Sequence, residues 1–103
     1  MKQVNVRPDA ELDIAKAYSY LAAESPQAAE KFFKTLYEHL TLLAHSPSIG
    51  PVVELTYQDF REVRRTPLPR PFAQYLVFYV DDPQAVVVLR VIHGKRDFPL
   101  LFE

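Results

Sequence analysis

The chain has no cysteine and no tryptophan, and only two of its 103 residues are glycine. Without cysteine, a disulfide framework and a thiolate metal site are both excluded. Two glycines are too few for a glycine-rich phosphate loop. No apolar stretch approaches the roughly 20 residues of a membrane span, and the opening MKQVNVRPDA lacks the apolar run of a signal peptide. These absences predict a soluble cytoplasmic protein with no metal or cofactor.

Apolar residues make up 49% of the chain, which is enough for one core, and the length fits a single domain, residues 1–103. The formal net charge of −1 hides an uneven distribution. Residues 1–60 hold five basic and eight acidic residues, whereas residues 61–96 hold seven basic and three acidic residues. We therefore expect the basic second part of the chain to contact an anionic or protein partner.

The spacing of apolar residues predicts two helices after a short strand. Alternation in residues 2–7 indicates the strand, and Pro8 suits the first turn of a helix over roughly 9–23. Ser25 as N-cap and Pro26 start a second helix over roughly 26–45. A link of about two residues predicts an antiparallel helical hairpin.

The remainder of the chain reads as three strands after a loop. Residues 46–60 indicate a loop with a short extended piece at 52–53. Residues 61–66, 72–80 and 85–93 are rich in β-branched and aromatic residues, and their short links predict an antiparallel meander. The predicted fold class is α+β, with the order β-α-α-β-β-β and the hairpin packed on one face of an antiparallel sheet.

The cations of the strand region are the candidate functional residues. Arg90 lies in the middle of an apolar strand, where a charge is costly unless it is paired. Pairing with an acid from the helical part, within a solvated sheet face, is the alternative interpretation and the commoner one on composition alone. For Tyr79, a core aromatic with its hydroxyl at the sheet edge is equally plausible. The residues predicted to bind a target are Arg61, Arg65, Tyr75, Tyr79, Arg90 and Lys95.

Histidines do not form a metal-binding pattern. No helix carries a paired-ligand spacing, so His39 and His45 are predicted to lie on the surface or to cap the second helix. His93 differs, because it ends the last strand and is followed by Gly94-Lys95-Arg96 in a tight, exposed turn.

With its predicted elements in the order β-α-α-β-β-β, the chain resembles the RelE/ParE superfamily of toxins from type II toxin–antitoxin systems. The resemblance rests on the opening strand with Pro8, on Ser25-Pro26 through Gly50, and on the segment from Arg61 to VLRVIHGKRD. It implies a sheet with a helical hairpin against it. It also implies a hetero-oligomer with a small antitoxin and one of two targets, the ribosome with its mRNA or DNA gyrase.

The two branches of the superfamily differ in the residues that carry their activity. RelE-like ribosome-dependent mRNA endoribonucleases use basic residues without a metal, and the resemblance places their sheet cations near Glu62, Arg64 and Tyr75 and their C-terminal tyrosine near Phe102. In this chain Glu62 and Tyr75 are not cations and Phe102 has no hydroxyl. The resemblance therefore favours the ParE-like branch (plasmid stabilisation proteins), which poisons DNA gyrase and is neutralised by a ParD-like antitoxin. In the alternative, ribonuclease interpretation, the catalytic residues are Arg64, His93 and Arg96.

Overall fold

The computed structural model describes residues 2–57 and 61–95, without the side chains of residues 55–57 and 61. A strand, a helical hairpin and four further strands follow one another in these ranges. The bounds are β1 Gln3–Val6, α1 Pro8–Glu24, α2 Pro26–His45, β2 Val52–Tyr57, β3 Arg61–Pro67, β4 Tyr75–Asp81 and β5 Ala85–His93. The predicted α+β fold is confirmed, with one strand more than expected.

A single residue, Ser25, separates the two helices. Its backbone is extended, with φ −156° and ψ 111°, which neither helix can continue through. Its N–H donates to Leu21 O at 2.8 Å and so closes α1. Its Oγ accepts from Ala28 N at 3.2 Å and so begins α2. The predicted ranges of both helices are confirmed to within one residue.

The five strands form one sheet in the order β1-β5-β4-β3-β2. Strands β3 to β5 form the predicted antiparallel meander, and β2 extends it by pairing antiparallel with β3. In contrast, β1 pairs with β5 in parallel, from Gln3↔Ala85 to Val6↔Val88. The sheet is therefore mixed, and the prediction of a fully antiparallel sheet was wrong. A four-residue alternating segment predicts a strand but carries no signal for the direction of its distant partner.

Two boundaries in the second part of the chain also differ from prediction. The extended piece expected at residues 52–53 is a full strand, β2, which pairs with β3 through a register shift between Val53 and Thr56. The strand predicted over 72–80 begins only at Tyr75, because residues 69–75 form two consecutive turns. Phe72 N–H donates to Pro69 O at 3.0 Å, and Tyr75 N–H donates to Phe72 O at 2.9 Å.

The helical hairpin covers one face of the sheet with apolar side chains. On α2, the buried residues recur at three- and four-residue steps, as expected for one face of a helix. Burial of each large side chain stabilises the fold by about 1.5–3 kcal/mol. This cluster includes Phe32, Leu36, Leu40 and Leu43 of α2 with Val77, Tyr79, Val86 and Val88 of the sheet.

The opposite face of the sheet is apolar as well. Its cluster consists of Val63, Phe78, Val80, Leu89 and Ile92, all less than 9% exposed. The central strands β4 and β5 are therefore apolar on both faces.

Candidate functional site

Arg90 is paired with Asp13 of α1. A bulge in β5 places Phe78 opposite Arg90 and Tyr79 opposite Val88. The Asp13 carboxylate accepts from Arg90 Nε at 2.7 Å and Nη2 at 2.9 Å, and from Val91 N–H at 3.0 Å. The alternative interpretation, an acid from the helical part of the chain, is what the structure shows. Arg90 therefore ties α1 to β5.

Tyr75 and Tyr79 share one face of β4, and both are buried under the helices. Tyr79 is 0% exposed and Tyr75 is 2% exposed. The Tyr75 ring packs on Phe32, with 5.0 Å between ring centroids, and edge-on to His93 at 5.3 Å. Direct contact with a target needs accessible atoms, so this burial contradicts the prediction that the two tyrosines bind a target.

The Tyr79 hydroxyl holds the loop that joins α2 to β2. The hydroxyl donates to Pro47 O at 2.7 Å and accepts from Gly50 N–H at 2.9 Å. Burial raises the pKa of Tyr79 above its usual value, which keeps the hydroxyl protonated as this geometry requires. Sequence reasoning missed this contact, although Pro47, Gly50 and Pro51 mark the loop as conformationally restricted.

Arg64 holds the same loop from β3. Its Nη1 donates to Gly50 O at 2.7 Å and to Ser48 O at 3.4 Å. We call residues 46–51 the clamped loop, because Tyr79 and Arg64 bind its backbone from the sheet.

Gly50 is the point at which the clamped loop lies closest to the sheet. A Cβ built at this position would lie 2.7 Å from Thr66 Cγ2 and 2.8 Å from both Arg65 O and Tyr79 Oη. These distances are shorter than van der Waals contact, so only glycine allows the loop to approach so closely.

His93 ends β5 in a partly buried position. Its Nδ1 accepts from Lys95 N–H at 3.3 Å, which in a neutral ring leaves the proton on Nε2. Gly94 N–H donates to Gln74 O at 2.8 Å, and the Lys95 side chain is exposed, as predicted for this turn. Arg96 lies outside the described residues.

Arg61 and Arg65 of β3 are two of the residues predicted to bind a target. Arg65 is partly buried and pairs across the ladder with Phe78, whereas the side chain of Arg61 lies outside the described part of the chain. Neither position therefore adds a described side chain to the clamped loop.

The structure does not bring Arg64 and His93 together. Arg64 pairs with Tyr79, and His93 pairs with Tyr75, four residues away along β4. Four residues of strand span about 13 Å, and β3 and β5 lie two strand spacings apart, about 10 Å. General acid–base catalysis requires its groups within hydrogen-bond reach of one substrate. These two residues of the predicted ribonuclease set do not meet that condition.

His39 is buried between α2 and β3. It is 8% exposed, and its Nε2 lies 2.8 Å from Thr66 Oγ1. Its Nδ1 has no hydrogen-bond partner in the described part of the chain. Burial lowers the pKa of His39 below its usual value. The prediction of a surface or capping residue was wrong, because α2 turns this position toward the sheet.

A groove of about 740 Å³ runs between the outer sides of α1 and α2. Three aromatic residues on its wall, Tyr18, Phe33 and Tyr37, are 37–44% exposed. Their rings contact one another, with centroid distances of 5.9 Å for Tyr18–Phe33 and 4.8 Å for Phe33–Tyr37. Glu11, Glu30 and Lys34 also line the groove. An exposed aromatic surface of this kind is typical of a protein-binding site.

Within residues 2–57 and 61–95, no three potential metal-ligating side chains meet at one place. Neither helix there is long and apolar enough to cross a membrane.

Comparison with known proteins decides the family. A protein-family model described as ParE toxin of type II toxin-antitoxin system, parDE, matches residues 4–98. The chain belongs to the ParE toxin family. No curated protein matches this ParE-family chain. One solved structure with the same fold is the chromosomal ParDE TA system from P. aeruginosa. It is 18% identical with a TM-score of 0.69, and the match covers 90% of this chain and 96% of the other.

Proposed function

We propose that this ParE-family toxin arrests growth by poisoning DNA gyrase in the cytoplasm, and that a co-expressed ParD-like antitoxin neutralises it by forming a hetero-oligomer with it. The family match over residues 4–98 carries the proposal. The fold shared with the ParDE structure is consistent with it.

The positions of the cations support a protein-binding toxin over a ribonuclease. Arg64 binds the clamped loop, Arg90 binds Asp13, and His93 lies far along the sheet from Arg64. A ribonuclease without a metal needs several cations around one scissile phosphate. The described residues offer no such cluster, so the alternative function, a RelE-like mRNA endoribonuclease, is not favoured.

The groove between α1 and α2 is the proposed antitoxin site. Its exposed aromatic side chains fit the apolar face of a helix laid between the two helices. The mixed charges of Glu11, Glu30 and Lys34 at its sides would select the register of that helix.

Two assays run side by side test the proposal. Purified toxin is added to gyrase with relaxed plasmid, and separately to translating ribosomes with a defined mRNA. We expect loss of supercoiling or trapped cleaved DNA, its reversal by the ParD-like antitoxin, and an intact mRNA. Normal supercoiling together with codon-dependent mRNA cleavage would instead establish the ribonuclease function.

A further inference from the structure

The clamped loop directs an apolar side chain away from the sheet that holds it. Ile49 lies between the two residues whose carbonyl groups Arg64 binds, and it is 49% exposed. Val52, at the start of β2, is 46% exposed. The loop backbone is fixed by Tyr79 and Arg64 and by a turn in which Ile49 N–H donates to Ser46 O at 3.2 Å. An apolar tip that is already ordered loses little conformational entropy when a partner covers it.

Arg64 adds a fixed positive charge beside this apolar tip. The groups that hold its guanidinium are neutral carbonyl oxygens, and no carboxylate among the described residues forms an ion pair with it. Its cross-strand neighbour on β2 is the exposed Val52. Nη1 makes both contacts, so Nε and Nη2 remain as donors for a planar anion.

We propose that the clamped loop is the surface that contacts the toxin's protein target. Ile49 and Val52 enter an apolar site on the target, and Arg64 pairs with a carboxylate beside that site. Tyr79 acts as a positioning residue that holds the loop. This inference rests on the proposed function, because it requires a toxin that acts by binding a protein.

The chemistry of the surface favours a protein over a nucleic acid. Two exposed aliphatic side chains next to one cation fit a hydrophobic residue flanked by Asp or Glu. Nucleic-acid binding depends mainly on several phosphate contacts by cations. The described side chains of this surface supply one fixed guanidinium, which does not provide them.

The clamped loop is separate from the groove proposed for the antitoxin. The groove is lined on α2 by residues 30–37, whereas the loop begins after α2 ends at His45. Substitution of Ile49 should therefore reduce toxicity and leave antitoxin binding intact.

The test compares Ile49→Ser with Leu12→Ser, a matched control at an exposed leucine of α1. Each variant is expressed without antitoxin, and the purified chains are titrated into the gyrase assay and against the ParD-like antitoxin. For Ile49→Ser we expect half-inhibition of gyrase to need at least about tenfold more toxin, because the substitution removes an aliphatic side chain that the target would cover. The affinity of Ile49→Ser for the antitoxin should stay within about twofold of wild type. Leu12→Ser should match wild type in growth arrest, gyrase inhibition and antitoxin affinity, and melting temperatures verify that both variants fold.

A second variant, Arg64→Gln, separates the charge from the support of the loop. Wild-type inhibition should weaken as salt rises from about 50 to about 200 mM, because ions screen the pairing with a carboxylate. This salt dependence should disappear in Arg64→Gln. A residue that only supported the loop would change potency without changing the salt dependence.

Other outcomes overturn the proposal in distinguishable ways. If Ile49→Ser arrests growth as strongly as wild type, the loop is not the target surface. If it loses antitoxin affinity but keeps toxicity, the loop belongs to the antitoxin interface. Binding of a short RNA or DNA duplex that depends on Arg64 would assign the loop to a nucleic acid. If wild-type toxin leaves supercoiling intact yet arrests growth in an Ile49-dependent manner, the gyrase assignment fails and the loop proposal holds.

Discussion

The side chain of Tyr79 reaches from the buried face of β4 to the loop that joins α2 to β2. Its ring packs in the core, and its hydroxyl both donates to Pro47 O and accepts from Gly50 N–H. Tyr79 thus both packs in the core and forms hydrogen bonds with the loop. The buried pair of His39 and Thr66 likewise combines packing with a hydrogen bond. Buried polar groups of this type make their neighbours sensitive to small changes.

Gly50 is the residue at which the smallest change should have a large effect. Gly50→Ala should lower the free energy of unfolding by about 1–3 kcal/mol, because the added methyl group overlaps Thr66, Arg65 and Tyr79. Urea denaturation measures the loss. Gly94→Ala is the matched control, because its Cβ would meet Leu76 Cδ1 at an ordinary 3.4 Å. Equal stability of the two variants would show that the loop can move away from the sheet.

His39 should make the stability of the fold depend on pH. Because burial lowers the pKa of His39 in the folded chain, the unfolded chain binds more protons once the pH falls below the ordinary value of 6.5. The contribution of neutral His39 to the free energy of unfolding is therefore present above pH 6.5 and is lost as the pH falls below it. The free energy of unfolding then decreases by at most about 1.4 kcal/mol per pH unit.

Chemical denaturation between about pH 5.5 and 7.5 tests this dependence. His39→Gln should flatten it, whereas His45→Gln, at an exposed position of the same helix, should leave it unchanged. An unchanged slope in His39→Gln would show that other groups cause the pH dependence.

At the scale of elements, the attachment of α1 to β5 depends on the contact between Asp13 and the β5 bulge. The carboxylate is 10% exposed and accepts from both the Arg90 guanidinium and the Val91 N–H that the bulge frees. The contact therefore uses an irregularity in the strand, and a regular β5 would not present the same donors.

Removal of this carboxylate's charge should loosen the helix. Asp13→Asn should lower the free energy of unfolding by about 2 kcal/mol, because it replaces charge-assisted hydrogen bonds with weaker ones. Glu38→Gln, at an exposed position of α2, should change stability by less than about 0.5 kcal/mol. Hydrogen exchange should locate the loss at α1 and β5, and uniform loss over all strands would contradict a local role.

At the scale of the whole molecule, the apolar groove and the clamped loop are two surfaces supported by the same helical hairpin. The groove lies between α1 and α2, and the loop continues from the end of α2. The surfaces proposed for the antitoxin and for the target are therefore separate.

The groove should dominate antitoxin affinity. Phe33→Ser should weaken binding of the ParD-like antitoxin at least about tenfold, because it removes the ring that contacts both Tyr18 and Tyr37. Calorimetric titration measures the affinity, and Leu12→Ser, which lies outside the groove lining, is the control. Unchanged affinity in Phe33→Ser would place the antitoxin elsewhere.

The sequence by itself determined the helical hairpin, the three-strand meander and the resemblance to the RelE/ParE superfamily. These features depend on spacing and capping among near neighbours, as at Ser25-Pro26, and the physics that produces them is local. The same locality allowed the strand 85–93 to be predicted with the bounds that the structure gives.

Only the tertiary structure decided which cations bind other groups of the chain and which tyrosines are buried. Arg90 meets Asp13 across 77 positions of sequence, and Tyr79 meets Pro47 across 32. The parallel pairing of β1 with β5 and the burial of His39 also depend on distant partners. Such contacts are selected by the packing of the whole chain, so no local pattern of residues encodes them.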